Sequence, residues 1–231
     1  MRTLWDALDN AMFDVFNAPL ALNGFYATIA AIANMRPVDM GVGLILVGLL
    51  IKRGFIVKAA QLRQLLFAFL VLLILLLLAR FGFNAVLKAL EWKRASPSLV
   101  LPEAIRLTQL FPDWQAHLYL KDSSEQCFPG DHASVLLIWA MLCSTFITGR
   151  EMVIVWILTA LFMLPRLIAG AHWASDDFVG GVFLALIAFS WGFYSPILEK
   201  ASNWLTRLFK PILNTIGRWP LFKSLSVFSQ A

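Results

Sequence analysis

Arg166, His172 and Asp176 stand in the stretch PRLIAGAHWASDD, with five residues between the arginine and the histidine and three between the histidine and the aspartate. Residues four apart share a helix face, so the Asp176 carboxylate can hold one nitrogen of the His172 ring while the other attacks or accepts a proton. A second histidine, His132, closes the stretch FPGDH. A helix starting there would aim its unpaired N–H groups, from Gly130 onward, at an anion. Lys93 and Arg94, in KRASP, join Arg166 as three cations, and arginine's planar fork matches phosphate oxygens. Together these residues describe phosphoryl transfer through a histidine intermediate, with His172 attacking phosphorus and His132 protonating the departing oxygen. A general acid contributes ~10²–10⁴-fold and a well-placed charge donor about 3 kcal/mol, so this chemistry calls for no metal and no other cofactor. A zinc site made of His132, His172 and Asp176 is the weaker reading, because it lacks a cysteine or further acid and leaves the cations unexplained.

The elements that must position these groups are written in the hydropathy. Of 231 residues 60% are hydrophobic and only 14% charged, with a mean hydropathy of +0.75. That excludes a soluble domain of this size and makes lipid the main solvent. The expectation is an all-α polytopic bundle of five or six spanning helices forming a single domain over residues 1–231. Leu65 to Ala79 is apolar throughout, and further spans are expected at His132–Thr148, Met152–Ala169 and Phe178–Tyr194. Val38–Ile51 would be a fifth, while residues 1–35 hold either an interfacial helix or a first span. Cys127 and Cys143 have no metal-type spacing and fall in a polar loop and an apolar run, so no disulfide is expected between them.

Sidedness follows from lysine and arginine. Lys52, Arg53, Lys58 and Arg63 crowd one short loop, and Lys200, Arg207, Lys210, Arg218 and Lys223 crowd the segment after the last span, which marks both as cytoplasmic. Residues 197–231 then read as an amphipathic tail on an anionic leaflet. Span parity puts the 81–131 loop and the 165–177 turn on the other side, so KRASP, FPGDH and PRLIAGAHWASDD share one face. Trp92, Trp114 and Trp173 fall where an outer aromatic belt is expected. An anion transporter is the alternative from another class, disfavoured because the middles of the spans are almost entirely apolar.

These three motifs resemble those of the type 2 phosphatidic acid phosphatase superfamily, integral membrane lipid phosphatases and phosphotransferases. The resemblance covers residues 88–181. Arg166, His172 and Asp176 are in register with the third motif, Pro165 standing where serine is usual, and Pro129–Gly130–Asp131–His132 replaces Pro-Ser-Gly-His. The implied roles are phosphate clamp for Arg166, nucleophile for His172, orienting carboxylate for Asp176 and leaving-group acid for His132, with Lys93, Arg94 and Gly130 contacting substrate phosphate. KRASPSL, FPGDH and PRLIAGAHW are most similar to the branch that moves the distal phosphate of undecaprenyl diphosphate onto lipid A in the bacterial inner membrane, on its periplasmic side. That resemblance implies those two lipids as partners and no nucleic acid, with a plain lipid-diphosphate or lipid-phosphate phosphatase as the alternative.

Overall fold

The computed structural model describes residues 2–38, 41–43 and 59–216. The expected span Val38–Ile51 and the basic residues Lys52, Arg53, Lys58, Arg218 and Lys223 lie outside the described residues, apart from a few positions at the start of that span.

The helices are α1 (Arg2–Asn17), α2 (Gly24–Ala33), α3 (Ala59–Ala89), α4 (Asp131–Ser144), α5 (Arg150–Ile168), α6 (Asp176–Phe193) and α7 (Ile197–Ile216). Short helical turns punctuate the loop between α3 and α4, and among the described residues the only pairing of extended chain is an antiparallel bridge between Met35 and Leu120. Among the described residues three helices, α3, α5 and α6, are long and apolar enough to cross a membrane, and α4 is a shorter apolar helix. Their outward faces carry Ile74, Leu78, Ile157, Leu161, Phe183 and Leu186, all well exposed, a belt that only lipid would solvate cheaply. The protein is a multi-pass, all-α membrane protein.

α3 is the axis against which α4, α6 and α7 pack. Its leucine-rich sequence has no proline and only one glycine, Gly82, so it runs on to Ala89, ten residues past the expected end of the span; the loop assigned to 81–131 therefore begins later. Leu65, Leu72, Trp139, Leu184 and Ala188 form the buried centre. α7 lays Leu198, Ala201 and Leu205 against this core and leaves Trp204, Leu208 and Ile212 exposed, so the tail helix is packed on the bundle as well as amphipathic. Arg63 reaches Asn214 at 3.4 Å at this end of α3. Arg80 lies seventeen residues along, about 25 Å away at 1.5 Å per residue, at the opposite end of the bundle.

The first 33 residues form a bent helical pair, apolar and long enough together to be one broken span. The segments Thr3–Leu22 and Gly24–Ala33 meet at a 118° bend, where Asn23 caps α2 by accepting from the N–H groups of Phe25 and Tyr26. α1 packs on α5, and its buried Asp9 and Asn17 reach into the loops. The amide of Asn17 donates to the carbonyls of Ile105 and Ile168, both at 3.0 Å, tying the long loop to the end of α5.

Candidate active site

His172 lies in the tight connection between α5 and α6 and is 6% exposed. Its Nδ1 sits 2.9 Å from the Cys127 carbonyl oxygen. A carbonyl only accepts, so Nδ1 carries the proton and Nε2 is left with its lone pair. The Asp176 carboxylate, expected as the orienting partner, stands farther from Nδ1, at 3.9 Å. It accepts instead from the Trp173 N–H at 2.8 Å and from Arg94 at 2.7 Å. Burial pushes the His172 pKa down to about 4, against the opposing pull of the Asp131 carboxylate, so the ring is neutral at neutral pH.

Arg94 stands behind this imidazole. Its guanidinium bonds Asp176, Ser175 and Asp9 at 2.7, 2.8 and 2.6 Å, and its own carbonyl receives the Cys127 N–H at 2.9 Å. Trp173 lies under the guanidinium and donates its indole N–H to the Ala95 carbonyl. It is 9% exposed, so it belongs to this packed layer and not to an outer aromatic belt.

α4 supplies the facing wall. Asp131, the first residue of α4, pairs with Arg80 at 2.8 Å and accepts the His132 N–H at 2.9 Å. The ring of His132 meets the Phe162 carbonyl at 3.2 Å, in the turn of α5 where Pro165 withholds an N–H. Arg166 follows Pro165 and donates to the Asn34 side-chain oxygen at 3.0 Å, while the Asn34 amide donates to the Pro165 carbonyl at 2.8 Å. One residue of the N-terminal segment thus grips both the helix end and its arginine.

Gly130 joins the two walls through its backbone. Its N–H donates to the Asp176 carbonyl at 2.9 Å, and a Cβ there would overlap the Asp177 carboxylate. Gly180, in the wide π-turn Asp176–Gly181 that opens α6, lies equally close to Pro129, its added Cβ falling 2.8 Å from the ring. These glycines let α4 and α6 approach closely enough to bring His132 and His172 to one cavity.

That cavity, about 400 Å³, is lined by His132, His172, Arg166, Asp131, Arg80 and Val135, together with Arg36, Tyr119 and Lys121. The sequence-expected residues therefore divide. His132, His172 and Arg166 converge, and Asp176 lies directly behind. Lys93 lines a separate cavity with Lys88 and Trp92, Arg94 is engaged behind the imidazole, and the Gly130 N–H is turned to Asp176. Sequence reasoning missed Arg36, Arg80, Lys121, Asp9, Asn34 and the Cys127 carbonyl. Arg80 could have been noticed as the charge ending the apolar run, Asp9 as an acid within an amphipathic helix and Asn34 as the polar residue ending an apolar one; a backbone carbonyl leaves no mark in sequence. From Arg80 and Asp131 an apolar groove of about 160 Å³ continues between α3 and α4, walled by Leu73, Leu76, Leu77 and Val135.

Residues 64–197, more than half the chain, match the model of the PAP2 superfamily. The protein belongs to the PAP2 superfamily. This PAP2 member is also 28% identical over 197 residues, 85% of its length and 79% of the relative's, to the lipid A 1-diphosphate synthase of Escherichia coli strain K12. No solved structure matches it. The matched region carries His132, His172, Arg80, Arg94, Lys121, Arg166 and Asp176, and membership makes the protein an enzyme that transfers or hydrolyses phosphate. Asp9, Asn34 and Arg36 precede that region, so the PAP2 member builds part of the site from chain outside it.

Proposed function

We propose that this PAP2 protein is a lipid phosphotransferase that moves the distal phosphate of undecaprenyl diphosphate onto lipid A 1-phosphate through phospho-His172. The observation that carries the reading is the imidazole whose Nδ1 is bonded to the Cys127 carbonyl and whose ring lines a cavity of four cations. In the first step Nε2 bonds to the distal phosphorus and the bond to the bridging oxygen breaks, leaving undecaprenyl phosphate. His132 gives that oxygen its proton where one is needed. In the second step a phosphate oxygen of lipid A attacks the phosphohistidine and Nε2 is returned with its lone pair. Arg166 and Arg80 balance the charge that builds on the equatorial oxygens, and Asp176 positions the connection that carries His172 through Arg94 and the Trp173 N–H. The apolar groove from Arg80 to Leu73 suits a hydrocarbon tail arriving from the bilayer.

The choice of lipid A as acceptor follows the name of the Escherichia coli relative. Our reading places the protein in the bacterial inner membrane with the site facing the periplasm; the basic residues at the far end of the bundle, among them Arg63, Lys200, Arg207 and Lys210, support that sidedness. Reconstitution in vesicles with labelled undecaprenyl diphosphate and lipid A tests the proposal. The expected product is lipid A diphosphate; release of free phosphate alone would make the enzyme a lipid-diphosphate phosphatase of the same family.

A further inference from the structure

We infer that Arg36 and Lys121 form a second phosphate subsite, beside the one that handles the transferred phosphoryl group; the inference rests on the phosphotransfer reading above. The bridge between Met35 and Leu120 builds it. The Arg36 N–H donates to the Tyr119 carbonyl at 3.2 Å and the Lys121 N–H to the Asn34 carbonyl at 3.0 Å, one on either side of the bridged pair. Side chains alternate across such a pairing. Met35 and Leu120 turn into a hydrophobic cluster, 7% and 3% exposed, while Arg36, Tyr119 and Lys121 turn to the cavity. Tyr119 adopts a positive φ of 54°, a conformation that costs a non-glycine residue energy and that persists where surroundings impose it. Its ring lies against the Arg36 guanidinium, 5.9 Å from centroid to Cζ.

The charge in this cavity exceeds what one transferred group requires. Among the described residues Arg36, Arg80, Lys121 and Arg166 line it against one carboxylate, Asp131, which is paired with Arg80, so the lining carries a net of three positive charges. A phosphate group carries about two negative charges, fewer than these three. Arg36 and Lys121, carried by the bridge and not by the histidine-bearing helices, are the pair placed for another phosphate. Two sources share that chemistry: the phosphomonoester of an acceptor lipid, or the proximal phosphate of a diphosphate donor.

The test uses the full-length protein in bicelles with Arg36→Gln, Lys121→Gln and the charge-preserving Arg36→Lys. Two ratios are read: the rate of enzyme labelling from a polyprenyl diphosphate against the monophosphate, and the partition of label between acceptor lipid and water. A fall of roughly tenfold in the first ratio, the scale of a lost charge-assisted hydrogen bond, assigns the subsite to the donor's proximal phosphate. A similar fall in the second assigns it to the acceptor. Arg36→Lys should recover most of either loss, which a merely structural arginine would not show. If neither ratio moves in either Gln variant, the subsite is overturned. Should the unmodified protein transfer nothing to any acceptor, the transferase reading fails, while the donor comparison still decides the subsite.

Discussion

Asp9 and Arg94, 85 residues apart, meet at 2.6 Å with the carboxylate 1% exposed and the arginine side chain 23% exposed. The other Asp9 oxygen accepts the Ser175 N–H at 2.8 Å, so a helix from the start of the chain is bonded to both the KRASP loop and the residue before Asp176. The contact locks the back of the His172 connection.

Asp9→Ala should therefore act on stability first. Removing one partner of a buried pair leaves the other charge uncompensated and costs about 3–5 kcal/mol; because Arg94 keeps Asp176, we expect the lower end of that range. Unfolding of the protein in bicelles, followed by heat or denaturant, measures it, and a midpoint equal to that of the unmodified protein would contradict the role.

His172→Gln should abolish turnover by ~10⁴-fold or more, the scale of losing a covalent nucleophile. Brief exposure to labelled donor followed by quenching should leave the unmodified protein with an acid-labile, alkali-stable label and the variant with none. A labelled variant would move the covalent step elsewhere.

The acidity of His172 fixes a pH dependence. Because burial lowers its pKa from 6.5 to about 4, Nε2 keeps its lone pair well below neutrality and the rate of enzyme labelling should hold from pH 7 down to about 5. The unfolded chain binds a proton at this site below about 6.5 and the folded one only near 4, so stability falls as pH drops through that window and is unaffected above it. Asp131→Asn removes the negative charge 3.9 Å from Nε2 and should shift the acid limb of labelling lower still. A limb near 6.5 in the unmodified protein would show the ring to be solvated.

Gly130→Ala should impair the site with no change of charge. The added methyl meets Asp177 and the Asp176 carbonyl, the latter at 2.9 Å, and α4 must move away from α6. Overpacking of this kind costs about 1–3 kcal/mol, and separation of His132 from His172 should lower kcat more than it raises KM. Retention of full kcat would mean that the two helices tolerate the shift.

Much of the frame was legible because lipid imposes simple rules on sequence. Long apolar runs mark α3, α5 and α6, and one-sided parity predicted that His132, His172 and Arg166 would share an end of the bundle. The N-terminal pair was not legible, since a 118° bend at Asn23 depends on what α1 packs against and not on local composition. The aromatic belt failed at Trp173 for a related reason: its indole packs under the half-buried Arg94 and donates to the Ala95 carbonyl, partners supplied by a distant loop.

By itself, then, the sequence determined that two histidines and an arginine would meet at one end of the helix bundle, because span length and alternation of sides are set by hydropathy alone. Only the tertiary structure decided who serves them. It gave the Nδ1 proton to a Cys127 carbonyl, placed Arg94 behind the ring, and drew Arg36, Arg80 and Lys121 to the cavity. Those choices depend on directional hydrogen bonds and close backbone approach between segments far apart in the chain, which no periodicity records.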